Sequence, residues 1–190
     1  ATGNYDGTLE GDAALVNDFL RGQVVELTET GYVSIPPAIA GQMEDFSFCG
    51  WVNFDGSNKW PALVGMGSDT LMKYPYWDFH LKNDNTIRYY ASIGQTWPPD
   101  GCSQVWDAAP VRRSKWIHIA FSFAKNDTGL VYINGVNQAT VPWKEIQEYD
   151  VSPSMIGARY VGIGRDAYNQ QTLTNTRIDN FKFYNGALTA

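Results

Sequence analysis

Aromatic and polar side chains are concentrated between Lys73 and Trp106 and in a later segment around Tyr168. A sugar ring offers a flat C–H face to an aromatic ring, and its hydroxyls bind carboxylate, amide and guanidinium groups. Aromatic residues are interleaved with such polar groups in both segments. We therefore expect the following residues to bind a ligand: Tyr74, Tyr76, Arg88, Trp97, Trp106, Arg165, Asp166, Tyr168 and Asn169.

The same sequence gives little support for a catalytic site. Glycoside hydrolysis needs two carboxylates about 5–10 Å apart, and the chain has no run of the Glu-x-Asp-x-x-Glu type. Asp78 and His80 share a strand face by the two-residue period, and such a pair can act as a base. Two polar residues at alternate positions are more typical of a solvated sheet face. No nucleophile elbow, phosphate-binding loop or Cys–His pair occurs, so we predict no catalytic residues.

Asp179 is the acidic residue that most needs a partner. It has the same parity as Phe181 and Phe183 on a predicted strand, so we expect it to point inward. A buried carboxylate must be paired, hydrogen-bonded or bound to a metal, because burying a bare charge is costly. Calcium takes about 6–8 oxygen ligands, and the segment Asn4–Gly7 offers such oxygens. The alternative is an ordinary turn in which backbone N–H groups or Arg177 satisfy Asp179.

The bulk properties exclude several classes of partner. The 190 residues fit one domain, residues 1–190, which is long enough to bury a core without metal or disulfide help. A net charge of −6 argues against nucleic acid, and no apolar run reaches the roughly 18–20 residues of a membrane span. The chain begins Ala-Thr-Gly without a Met, so we expect an excised or processed module whose missing signal peptide says nothing about export. Cys49 and Cys102 leave two alternatives open, a disulfide or one buried side chain and one free thiol.

Short alternating segments separated by Gly, Asn, Asp and Pro dominate the chain. In one of them Ile117, Ile119, Phe121 and Phe123 share a face, and a polar turn leads to a second segment that ends in Asn-Gly, a strong hairpin signal. Strands are predicted at Val24–Leu27, Tyr32–Ile35, Phe46–Phe54, Ala62–Met66, Trp77–Leu81, Ile87–Ser92, Trp116–Phe123, Leu130–Asn134, Tyr160–Gly164 and Ile178–Tyr184. The pattern predicts an all-β fold, a two-sheet antiparallel sandwich of the jelly-roll kind. Only Lys144–Tyr149 is expected to form a helical turn.

Several of these segments also carry a family resemblance. The motifs are, in chain order, Gly3–Gly11, Tyr32–Pro36, Asp45–Val52, the hairpin Trp116–Gly135, Ile163–Arg165 and Arg177–Leu188. In this order they resemble the laminin-G-like and pentraxin-like domains of the concanavalin A-like lectin and glucanase superfamily. The resemblance covers almost the whole chain and implies a concanavalin A-like jelly roll.

The resemblance also implies a metal site and a function. Pentraxin-like domains often hold a structural calcium ion, which implies Asp179 with Asp6 or Asn4 and backbone carbonyls as ligands. A non-catalytic carbohydrate-binding module is the main hypothesis, secreted or at a cell surface, tethered to a larger extracellular protein and directed at a polysaccharide or glycan. One alternative is a protein-adhesion domain, which predicts a contiguous exposed apolar patch. The other is a glycoside hydrolase or polysaccharide lyase on the same fold.

Overall fold

The computed structural model of the chain describes residues 6–42, 45–55, 62–67, 76–81, 85–92, 103–124, 128–142, 160–163 and 175–189. Within these ranges two seven-stranded antiparallel sheets form a sandwich, so the predicted all-β jelly-roll architecture is confirmed. The helical turn predicted at 144–149 lies outside the described residues. No helix in the described ranges is long and apolar enough to cross a membrane.

The first sheet contains both an N-terminal strand and most of the middle of the chain. Its strands, from one edge to the other, are β1 (Thr8–Glu10), β4 (Tyr32–Ser34), β13 (Tyr160–Ile163), β6 (Ala62–Gly67), β7 (Tyr76–Leu81), β8 (Thr86–Ser92) and β9 (Ser103–Pro110). A 3₁₀ helix at Pro37–Gln42 follows β4. The alternation of apolar and polar residues did not predict β1, β9 or this 3₁₀ helix.

The second sheet brings the chain ends together around two long central strands. Its strands are, in order, β12 (Val136–Pro142), β11 (Thr128–Ile133), β10 (Trp116–Phe123), β5 (Phe46–Phe54), β14 (Thr176–Asn185), β3 (Gly22–Leu27) and β2 (Ala14–Asp18). The predicted hairpin of β10 and β11 is confirmed, with Ile119 opposite Ile133 and Phe123 opposite Gly129. Strands β2 and β12 were missed.

Phenylalanine rings fill the space between the two sheets. The face predicted for β10 is confirmed, since Ile117, Ile119, Phe121 and Phe123 are all buried. Phe48 of β5 and Phe79 of β7 meet edge to face with centroids 5.2 Å apart, so they connect the two sheets. Phe79 therefore faces the core from the strand predicted at Trp77–Leu81.

The Asn-Gly signal marks the turn between β11 and β12. Asn134 and Gly135 have φ of +51° and +77°, as a two-residue type I′ hairpin requires. The Asn134 side-chain oxygen also accepts a hydrogen bond from the backbone N–H of His118 at 2.9 Å, and the backbone N–H of Asn134 donates to the His118 carbonyl at 2.8 Å. The turn is thereby fixed to the neighbouring strand β10.

A β-bulge divides β14 into two halves with opposite parity. Asp179 lies opposite Trp51 and Lys182 lies opposite Cys49, so β14 has one residue more than β5 over this stretch. Asn180 lies in the bulge and has a φ of +53°. Before the bulge, Ile178 faces the core, and after it Phe181 and Phe183 pack against the core. The expectation that Asp179 points inward with Phe181 is therefore wrong, because the bulge turns it to the outer face.

We predict that Gly50→Ala destabilises the fold through this bulge. A Cβ at Gly50 would overlap the Phe181 ring, and overpacking of this kind costs about 1–3 kcal/mol of unfolding free energy. Urea denaturation of Gly50→Ala, Phe181→Ala and the double variant measures the coupling between the two sites. The Gly50→Ala change should cost clearly less in the Phe181→Ala background, and equal costs in both backgrounds would contradict the contact.

Candidate functional site

Most of the predicted ligand-binding residues lie in segments between the described ranges. Outside them are Tyr74, Trp97, Arg165, Asp166, Tyr168 and Asn169, together with the predicted calcium ligand Asn4. Their role stays a prediction. Tyr76, Arg88 and Trp106 are placed on three adjacent strands of the first sheet, β7, β8 and β9.

The backbone register defines what surrounds these three positions. Tyr76 is paired with Gly67 of β6 and Ser92 of β8. Trp106 is paired with Tyr89 of β8. Their side chains lie outside the description. Arg88 is the member of the predicted set whose side chain is described, and it is half-buried.

Arg88 shares the outer face of the first sheet with Asp78 and His80. Phe79 and Ile87 are buried in the core, so their neighbours Asp78, His80 and Arg88 point to the opposite side of the sheet. Arg88 lies directly opposite His80 in the register. The His80 Nε2 is 3.7 Å from Asp78 Oδ2, and the side chains are 13% and 0% exposed. We call these three residues the first-sheet polar site.

The burial of Asp78 overturns the expectation of a solvated sheet face. A carboxylate closed off from water must be held by neighbouring polar groups. His80 is slightly exposed and Arg88 is half-buried, and both side chains carry N–H donors. The site thus combines an imidazole and a guanidinium with a buried acidic group. Such planar groups suit the hydroxyls of a sugar or another polar ligand.

The outer face of the second sheet carries a cluster that the sequence did not predict as a site. The Arg21 guanidinium carbon is 4.3 Å from the centroid of Trp51 and 5.3 Å from that of Trp116, both within cation–π distance. His118 meets Trp51 with ring centroids 5.2 Å apart. Arg21 Nε donates to Asp179 Oδ2 at 2.6 Å. We call these five residues the tryptophan–arginine cluster.

The local sequence of the β2–β3 turn explains how Arg21 reaches this face. The Asp18 carboxylate accepts hydrogen bonds from the N–H groups of Leu20 and Arg21, as in an Asx turn, and Gly22 closes the turn with φ of +75°. Asp18 also accepts from Trp116 Nε1 at 3.3 Å and from Arg177 at 3.2 Å. Partial burial alone would raise the pKa of Asp18, but these hydrogen bonds together lower it below its ordinary value.

Part of this cluster could have been found from the sequence. Trp51, Trp116 and His118 fall on the outer face by the same two-residue period that places Val52 and Ile117 in the core. Bulky aromatic residues on the solvent side of central strands indicate that something covers them. Nothing in the sequence shows that Arg21, more than 20 residues upstream of β5, is what covers them.

The structure describes two of the predicted calcium ligands, Asp6 and Asp179, and it bears mainly on Asp179. Its carboxylate accepts from the Arg21 guanidinium, and a cation at that distance opposes a calcium ion on the same group. Asp6 is exposed and precedes β1 at the edge of the first sheet, whereas Asp179 lies on the second sheet. Within the described ranges, no three His, Cys, Asp or Glu side chains are grouped so that they could hold a metal ion. The described residues therefore do not fit a calcium site built on Asp179.

Cys49 is a free thiol on the outer face of β5. Its Sγ lies 4.0 Å from the hydroxyl of Tyr184, the position expected for two outward side chains on adjacent strands. Cys102 lies outside the described residues. Of the two alternatives for the cysteines, the structure favours the free thiol at Cys49.

The family follows from a match over most of the chain. A family model, Laminin_G_3, described as Concanavalin A-like lectin/glucanases superfamily, matches residues 27–190. The chain belongs to this superfamily. The match includes all strands from β4 to β14, so Trp51, Trp116 and His118 lie within it. The turn that carries Arg21 lies before it. No curated protein sequence matches the chain.

Solved structures of other proteins share the fold at low sequence identity. Domain 4 of AbnA, a GH43 extracellular arabinanase from Geobacillus stearothermophilus solved with arabinotriose, is 20% identical with a TM-score of 0.68, covering 98% of this chain and 86% of that chain. The CBM40 of the Ruminococcus gnavus IT-sialidase, solved with α2,3-sialyllactose, is 17% identical with a TM-score of 0.71, covering 87% of this chain and 91% of that chain. The receptor-binding domain of botulinum neurotoxin C/D mosaic serotype is 14% identical with a TM-score of 0.65, covering 98% of this chain and 44% of that chain. At these low identities the structural likeness shows the fold alone.

We predict that Asp179 acts as an ion-pair partner and not as a calcium ligand. Asp179→Asn should lower the unfolding free energy by roughly 0.5–1 kcal/mol, the scale of a partly exposed ion pair. The loss should be the same in calcium and in EDTA when thermal unfolding is followed by circular dichroism. Asp6→Asn serves as the control, with little change expected because Asp6 is exposed. A calcium-dependent gain in melting temperature that disappears only in Asp179→Asn would contradict the prediction.

His118 should make the fold sensitive to mild acid. Partial burial first, and the charge of Arg21 second, lower the pKa of His118 below its ordinary value. The unfolded chain therefore binds a proton more readily, and the contribution of neutral His118 is complete above about pH 6.5 and falls as the pH drops through the folded pKa. Between pH 7 and pH 5 the wild-type protein should lose more stability than His118→Gln. Parallel stability curves for the two proteins would exclude this role.

Proposed function

We propose that this chain is a non-catalytic carbohydrate-binding module that holds a glycan on the outer face of its first sheet. The first-sheet polar site carries the proposal. It combines the half-buried guanidinium of Arg88 with His80 and the buried carboxylate of Asp78, on three described positions of two adjacent strands. Groups fixed in this way bind sugar hydroxyls with little loss of conformational freedom.

The strands that carry the site also lead into the segments where aromatic residues were predicted to stack on sugar rings. Tyr76 begins β7 and Trp106 lies in β9, on either side of β8. In the sequence, Tyr74 comes shortly before β7 and Trp97 comes shortly after β8. Structural neighbours of the same fold support the proposal, because the AbnA domain was solved with arabinotriose and the sialidase CBM40 with sialyllactose.

The same reasoning favours targeting over catalysis. The neighbours with high coverage are a domain of an extracellular arabinanase and a carbohydrate-binding module of a sialidase. A module of this kind raises the effective concentration of a tethered partner at a polysaccharide without transforming it. We infer that the domain works outside the cell as an appendage of a larger protein. A structural calcium ion would then have to use residues other than Asp179.

Binding to soluble and insoluble polysaccharides tests the proposal. The probes are arabinan, xylan, galactan and fructan in affinity electrophoresis, and sialyllactose by calorimetry. Arg88→Gln should weaken binding to the preferred probe at least about tenfold, because a hydrogen bond to a charged group contributes about 1.5–3 kcal/mol. Arg112→Gln is the matched control, since Arg112 is an exposed guanidinium beyond the end of β9.

Release of reducing or unsaturated sugar from the same probes separates a module from an enzyme. Binding without release supports the proposal, and release that depends on Asp78 or His80 would replace it with a hydrolase or lyase. Equal binding by the Arg88→Gln and Arg112→Gln variants would remove the first-sheet polar site from recognition. No binding to any probe would contradict the proposed function.

A further inference from the structure

Strand β2 is an edge strand of the second sheet. It pairs with β3 on one side without a register shift, from Ala14 opposite Glu26 to Asp18 opposite Gly22, and it is the last strand in the sheet order. Natural edge strands are often blocked against pairing by charged side chains, especially lysine, by a proline or by a bulge. The sequence Ala-Leu-Val-Asn-Asp of β2 has no lysine, no proline and no bulge. Its one charged side chain, Asp18, is turned to Trp116 and Arg177 of its own chain.

Exposed apolar side chains lie along the same edge. Leu15 is 55% exposed, and Phe19 and Leu20 of the adjoining turn are 100% and 75% exposed. They are half of the large apolar side chains found exposed in the described residues, and they fall within six positions of the sequence. Apolar side chains grouped on a surface indicate a contact with another molecule. The Arg21 ion pair and the Asx turn hold this apolar tip in place.

We propose that this edge pairs with the β2 strand of a second copy of the chain, forming a two-fold symmetric dimer with a continuous sheet. An antiparallel pair centred on Val16 places Ala14 opposite Asp18 of the partner copy and Leu15 opposite Asn17. No like charges face each other in this register, so the strand is complementary to itself. Leu15 and Phe19, at the two ends of this short edge, come to lie beside the partner's strand.

The second copy fits this edge better than an unrelated partner does. A two-fold axis through Val16 uses one five-residue strand twice, and it satisfies the outward N–H and C=O groups of both copies at once. A strand of this length buries less surface than a standard stable interface. The dimer is therefore expected to dissociate on dilution and to be favoured by salt, because each copy carries a net charge of −6.

Disulfide trapping tests the register of the proposed pair. In Val16→Cys the two introduced side chains face each other across the axis, with Cβ atoms about 4.5–5.5 Å apart, near the range that a disulfide needs. Mild oxidation should give a covalent dimer several-fold more efficiently than in Leu15→Cys, whose introduced thiol faces Asn17 of the partner copy. Both variants keep Cys49 and Cys102, so those thiols contribute equally. Equal trapping in the two variants would overturn the register.

Sedimentation velocity tests the dimer itself in the absence of any glycan, so that its outcome is independent of the proposed function. The unmodified chain should show a dimer fraction that rises with concentration. Val16→Lys places two lysines opposite each other and should abolish that fraction, whereas Leu9→Lys on the edge strand β1 should not. Circular dichroism confirms that the variants are folded. A chain that stays monomeric at the highest concentration reached, or a Val16→Lys variant that still dimerises, would overturn the proposal.

Discussion

One extra residue in β14 determines how the two faces of the second sheet are occupied. Without the bulge at Asn180, Asp179 would lie in the core among phenylalanine rings, where a carboxylate costs several kcal/mol. The bulge places Asp179 outside and Phe181 over Gly50. The outward carboxylate then binds Arg21, which brings the β2–β3 turn over Trp51 and Trp116. The position of the first hairpin therefore depends on a local irregularity in the last strand.

This dependence joins the N-terminal and C-terminal parts of the chain. Asp18 and Arg177 form an ion pair at 3.2 Å, and Arg177 also binds Glu26 at 2.9 Å. Each pair is partly exposed and weak when taken alone. Together with two tryptophan rings they form a connected network on one face, in which loss of any member leaves the others poorly satisfied. The hairpin is thus held by many small contributions and not by a buried core of its own.

The sequence predicts those features that follow from strict alternation. The core face of β10 is readable because Ile117 to Phe123 repeat with a period of two, and the Asn-Gly turn could equally have predicted β12. The orientation of Asp179 is not readable, since a bulge adds one residue without changing the composition of a strand. The sequence predicts one part of the tryptophan–arginine cluster and not the other. The outward tryptophans follow from the period, but their partner Arg21 comes from a distant turn, and only the folded sheet order brings it near.

The first-sheet polar site and the proposed dimer edge β2 lie on different sheets. A two-fold axis that relates antiparallel strands within one sheet stands perpendicular to that sheet. Pairing through β2 would therefore leave both copies of the first sheet on the same side of the continuous second sheet, with their first-sheet polar sites facing the same direction. Two weak glycan sites held side by side on a repetitive polysaccharide bind with a higher effective concentration than either site alone. Pairing through β2 would thus strengthen binding to a site on the first sheet, although β2 itself belongs to the second sheet.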